Sequence, residues 1–170
     1  MPCRKLSSAR RRPSTRPARS RFAVAAAAFA VVLAVPLAAQ KPAERLAAAK
    51  ALRCAFTTMS VGNWKSEGAI GEIKPAKLTI GFDDINVDDG TATVLGAFGP
   101  SDIIVRLSTG TLHFVQSFRE GPLYATTIFP YETTGGRLRA VHMRHEYTEV
   151  SLPGFTSRPE QYYGDCEVLK

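Results

Sequence analysis

The sequence predicts an all-β domain of about eight antiparallel strands, folded as a small barrel or a two-sheet sandwich, behind an export leader and a short helix. Three observations carry this. From Cys54 onward, short runs rich in Val, Ile, Thr, Phe and Tyr are punctuated by Gly, Pro and Asp at intervals of about ten residues, the texture of strands joined by tight turns. The basic charge is confined to the start: residues 1 to 39 hold eight of the 22 Lys and Arg and no acid, which leaves 14 basic against 15 acidic residues in the remainder. The two cysteines after the leader, Cys54 and Cys166, stand near the two ends of the β-rich part.

The leader runs from Arg4, Lys5 and the Arg10 to Arg12 cluster into Phe22 to Ala39, an uncharged stretch of 18 residues broken only by Pro36. This is the charged region and apolar region of an export signal, and its small-residue exit favours cleavage after Ala39. An uncleaved membrane anchor is the alternative, since ~17 to 25 apolar residues can span a bilayer. Either way the domain lies outside the cytoplasm, periplasmic or secreted if the leader is cleaved and membrane-anchored if it is not. The membrane then enters only through this segment. Arg10 to Arg12 serve as general positive charge, and Cys54 lies too far beyond Ala39 for lipid attachment. Because the positive charge leaves with the leader, nucleic acid is not an expected partner.

Residues 40–53, made of Ala, Lys, Glu, Leu and Arg with one Pro, predict a short helix. Its apolar face is thin, so it reads as a surface helix or spacer. The β domain then occupies 54–170, with strands expected at Cys54 to Met59, at Lys77 to Phe82 running into a hairpin over Asp83 to Gly96, and at Ile103 to Leu107, Thr111 to Phe118, Tyr124 to Glu132, Arg137 to Tyr147 and Gln161 to Val168. Asp89-Gly90 predicts a two-residue type I′ hairpin that pairs Val87 with Ala92 and Ile85 with Val94. Ser108-Thr109-Gly110 and Gly135-Gly136 mark further turns, with Gly99-Pro100 and Gly121-Pro122 at the corners. Consecutive hairpins must hide their edges by closing or stacking, and closure is favoured. In strand count and order alone, this resembles lipocalin-like architecture, a resemblance that carries no ligand or site onto the chain.

Cys54 and Cys166 fall on the first and last strands, so a disulfide between them requires those strands to be neighbours, as closure makes them. A redox pair lacks the Cys-x-x-Cys spacing.

The chemistry-bearing residues are few. On a strand, His142 and Arg144 point one way while Met143, His145 and Tyr147 point the other. His113 is the remaining imidazole, and a metal-dependent or hydrolytic enzyme would have to be built on His113, His142 and His145. The alternation argues against convergence and favours His145 hydrogen-bonded in a half-apolar lining. No catalytic residue is assigned and no cofactor or metal is implied. The acids Asp83, Asp84, Asp88 and Asp89 with Asn86 fail the calcium-loop pattern, because Asp89 stands at the glycine position and Leu95 at that of the bidentate Glu. There is no Gly-x-Ser-x-Gly elbow, and Glu146 with Glu149 would face opposite sides of a strand.

Aromatic residues supply the remaining signal. Phe114 and Phe118 share a face with Leu112 and Gln116, and Phe129 with Leu123, Ala125 and Thr127, either as filled core or as the lining of a ligand cavity. The expected function is an exported envelope protein that binds a small apolar ligand or a protein partner, the candidate ligand-binding residues being Phe114, Phe118, Phe129, His142, Arg144 and His145. A metal-dependent or hydrolytic periplasmic enzyme, or a structural envelope subunit presenting a strand edge or the Tyr162-Tyr163 surface, are the rivals.

Overall fold

A computed structural model describes residues 40–96, 99–119, 121–147 and 157–169. The leader, residues 1–39, and Glu149 lie outside the described residues. Among the described residues the chain forms one helix, α1 (Pro42–Ala48), and eight strands: β1 (Ala51–Lys65), β2 (Gly68–Asn86), β3 (Thr91–Gly96), β4 (Gly99–Ser108), β5 (Thr111–Ser117), β6 (Leu123–Glu132), β7 (Leu138–His145) and β8 (Glu160–Leu169). Each strand pairs antiparallel with the next, and β8 returns to pair with β1, so the single sheet closes into a ring. Cys54 and Cys166 are directly opposite across that seam, their Cα atoms 4.0 Å apart and their sulfurs at bonding distance.

Alternation along each strand sets the interior. Leu52, Cys54 and Phe56 of β1 point inward, as do Leu112 and Phe114 of β5 and Leu138, Ala140 and His142 of β7. Bulges interrupt this period, and those in β1 and β2 shape the interior. Between Phe56 and Thr58 the register of β1 slips against both neighbours. Gly164 of β8 lies opposite that point, and a Cβ there would come within 2.0 Å of the Ala55 carbonyl oxygen. Glycine is thus required at this close approach of the two backbones. In β2, Phe82 and Ile85 are both buried at a spacing of three, which an unbroken strand forbids. Asp84, at φ 51°, supplies the extra residue.

That bulge corrects the expected hairpin. Asn86 pairs with Thr91 and Phe82 with Val94, so Val87 to Gly90 form a four-residue loop and Ile85 does not face Val94. The Asn86 side-chain oxygen accepts from the N–H groups of Asp88 and Asp89, and Gly90 takes φ 75°. Asn86 therefore organises the loop by bonding its backbone, a role that outweighs the Asp-Gly turn signal. The two-residue turn with both central residues at positive φ is found instead at Thr109 (φ 48°) and Gly110 (φ 79°), between the paired Ser108 and Thr111.

Helix α1 also departs from expectation. Its single large apolar residue, Leu46, is completely buried and belongs to the core with Ala49 and Leu52. The helix packs against β5 and β6, and Arg45 pairs with Glu132. A surface helix or spacer needs no such anchor. A narrow ring is stoppered by one leucine, so a thin apolar face suffices. The opposite end holds the paired Gly96 and Gly99 of β3 and β4 and the hairpin of β1 and β2, whose outer part, about residues 62–75, extends beyond the ring as a two-stranded arm. Trp64, Ile70 and Ile73 are exposed on this arm.

Candidate functional site

The interior divides into two halves. Toward α1 it is filled by Leu46, Leu52, Ile85, Val105, Ile128, Leu138 and the disulfide. Toward the other end lies a cavity of about 150 Å³. Phe82 and Phe114, stacked with ring centroids 4.0 Å apart, line it. Leu78, Ile80, Val94, Ile103 and Phe118 supply more apolar wall, and the paired Gly96 and Gly99 of β3 and β4 also line it.

The polar side of the cavity is built by β5, β6 and β7, whose inner faces present Gln116, Tyr124, Thr126, His142 and Arg144. The register sets Tyr124 opposite Arg144 and Thr126 opposite His142. Arg144 Nε–H donates to His142 Nε2 at 3.3 Å. An arginine can only donate, so Nε2 must be the bare nitrogen of the ring and Nδ1 carries the proton. Nδ1–H then donates to Thr126 Oγ1 at 2.8 Å, which leaves the threonine hydroxyl proton free to donate elsewhere.

The Arg144 guanidinium sits between the Tyr124 and Tyr162 rings, 5.2 Å from each centroid. Glu160 approaches Arg144 Nη1 at 3.9 Å while accepting the Tyr162 hydroxyl at 2.6 Å. The Tyr124 hydroxyl donates to Glu146 at 3.4 Å. Burial, and then the bond to Glu160, push the Tyr162 hydroxyl up to about 12. Burial likewise raises Tyr124. Burial, and then the adjacent Arg144, push His142 down to about 3, so it is neutral at physiological pH.

The His142 shift has a consequence for stability. Its folded pKa is depressed below the ordinary value near 6.5, so between these values the unfolded chain binds the extra proton. The stabilising effect of neutral His142 is complete above pH 6.5 and is lost as pH falls toward 3. At pH 5 the linkage amounts to about 2 kcal/mol relative to pH 7. Urea unfolding across this range should show that loss in the wild type and a flatter profile in His142→Gln.

Of the ligand-binding residues expected from the sequence, Phe114, Phe118, His142 and Arg144 line the cavity. Phe129 and His145 do not. The inner face of β6 is Tyr124, Thr126 and Ile128, which puts Phe129 outside with Leu123, Ala125 and Thr127. His145 is exposed on the outer face of β7, and the buried, hydrogen-bonded histidine is His142. His113 also faces outward, against Thr127 Oγ1 at 3.1 Å. The three imidazoles therefore do not converge, and among the described residues no group of three or more His, Cys, Asp or Glu is arranged to hold a metal. Tyr162 is buried in the ring, so only Tyr163 of that pair is surface. Tyr124, Thr126, Tyr162 and Glu160 are cavity or supporting residues that the sequence pattern does not single out. The first two are readable from the alternate phase of β6, whereas the last two depend on the pairing of β7 with β8. In comparisons with known proteins, the chain matches no family model, no curated protein and no solved structure.

Proposed function

We propose that the chain is an exported binding protein of the cell envelope, a small barrel of lipocalin-like strand order that holds one small apolar ligand in its interior. The cavity carries this reading. Close-packed interiors rarely leave such a space, and a cavity of roughly 150 Å³, with Leu, Ile, Val and Phe along its apolar side, has room for a molecule the size of benzene. Export is supported by the leader of the sequence and by the disulfide, a bond that persists in oxidising compartments. Among the described residues, no helix is long and apolar enough to cross a membrane.

Toluene titrated into the purified protein tests the reading. Calorimetry should detect binding with a negative heat-capacity change, and the melting temperature should rise with toluene concentration. Val94→Phe directs a ring into the same space and should remove both effects while the domain stays folded. Absence of binding up to the solubility of toluene, or equal binding by the variant, overturns it.

A second reading, a protein partner, rests on the arm. Trp64, Ile70 and Ile73 expose apolar surface on a hairpin with no third strand beside its outer part among the described residues, and such a surface suits contact with another envelope protein.

A further inference from the structure

The polar side of the cavity is rich in hydrogen-bond donors. Nε–H of Arg144 is spent on His142, but the guanidinium makes no other hydrogen bond among the described residues, and its contact with Glu160 at 3.9 Å exceeds hydrogen-bonding distance. Thr126, accepting from His142, has its hydroxyl proton to give. The Gln116 amide stands beside Tyr124 on the neighbouring strand. Neither nearby acid lines the cavity: Glu160 is turned to the Tyr162 hydroxyl and Glu146 to that of Tyr124. The two tyrosine rings hold the guanidinium in place, so little freedom remains for it to lose on binding. A space with apolar walls on one side and a fixed cation with neutral donors on the other is complementary to an acceptor group on a compact apolar body.

We propose that Arg144, with Thr126 and Gln116 beside it, receives the carboxylate of a small monocarboxylic acid, one aromatic ring or a branched alkyl group in size, whose apolar body lies against Phe82, Phe114 and Phe118. This rests on the cavity being a ligand site and names the ligand's class. The carboxylate matches the forked guanidinium, which a lone apolar molecule would leave unsatisfied. The cavity volume sets the upper limit on the body and excludes long acyl chains from lying within it.

The probes are benzoate, fully ionised at pH 7, and toluene, of the same shape without charge. Binding of each to the full chain is measured by calorimetry for wild type, Arg144→Met and Glu160→Gln, with folding followed by circular dichroism. Wild type should bind benzoate. Arg144→Met should weaken benzoate by at least about tenfold, the worth of a charge-assisted hydrogen bond, and should weaken it by a much larger factor than it changes toluene. Glu160→Gln keeps an acceptor for Tyr162 but removes a competing negative charge, so it should strengthen benzoate by about threefold or more without affecting toluene. Toluene binding without benzoate binding overturns the carboxylate assignment and leaves the apolar-ligand reading standing, whereas failure of both probes overturns both. Should Arg144→Met unfold, Glu160→Gln decides, and unchanged benzoate affinity in that variant overturns the assignment.

Discussion

Replacing both Cys54 and Cys166 by alanine should lower stability by about 4 to 5 kcal/mol, the loop-entropy value for a bond that closes most of the domain. For a domain of this size that is a fall in melting temperature of about 15 °C. The bond spans a sequence separation of 112 residues and joins the first and last strands of the ring. Without it the unfolded ensemble regains the freedom of that long loop, and the native ring depends on β1 to β8 backbone pairing alone to hold its seam. Scanning calorimetry of the double variant, beside the wild type with and without reductant, measures the effect. A loss below about 1 kcal/mol would mean that strand pairing and the close approach at Gly164 hold the seam without help.

The same seam shows why closure is readable from the sequence while much of the register is not. A cysteine pair at the two ends of a meander requires adjacent terminal strands, a long-range constraint written in two residues. Strand lengths carry no such signal. Gly62, Gly68, Gly71 and Pro75 are of residue types depleted in strands, yet they lie within β1 and β2. Pro75 is tolerated because it sits at the β1 bulge, on a part of β2 that β3 does not reach. The bulge at Asp84 likewise depends on packing both Phe82 and Ile85 inward, a tertiary demand that overrides the local turn preference of Asp89-Gly90.

The candidate site is half legible for a related reason. Alternation groups His142 with Arg144 and Phe114 with Phe118, but it cannot say which phase of a strand faces in. On β7 both phases carry polar residues, and on β6 both carry an aromatic. Their neighbours decide: Thr126 pairs with the buried Phe114, and Ile128 with the buried Leu112. The sequence also offers no means of weighing a filled core against a cavity, because the difference lies in how the side chains of several strands meet. The interior contains both.

Phe114 stands at the junction of these two halves, and its removal should show both properties at once. The ring is almost fully buried, stacked on Phe82, and belongs to the core as well as to the cavity wall. Phe114→Ala should cost about 3 to 5 kcal/mol, the range for deleting a buried aromatic where the surroundings relax only in part. Because the β-sheet ring holds the backbone around the site, the vacated space should join the cavity instead of collapsing. The variant would then accept apolar molecules larger than a single ring, such as naphthalene, that the wild type excludes, and their binding should restore part of the lost stability by mass action. Urea unfolding with and without naphthalene measures both effects. If Phe114→Ala loses the stability but gains no affinity for the larger probe, the ring has collapsed around the gap, and the cavity wall is less rigid than the closed sheet implies.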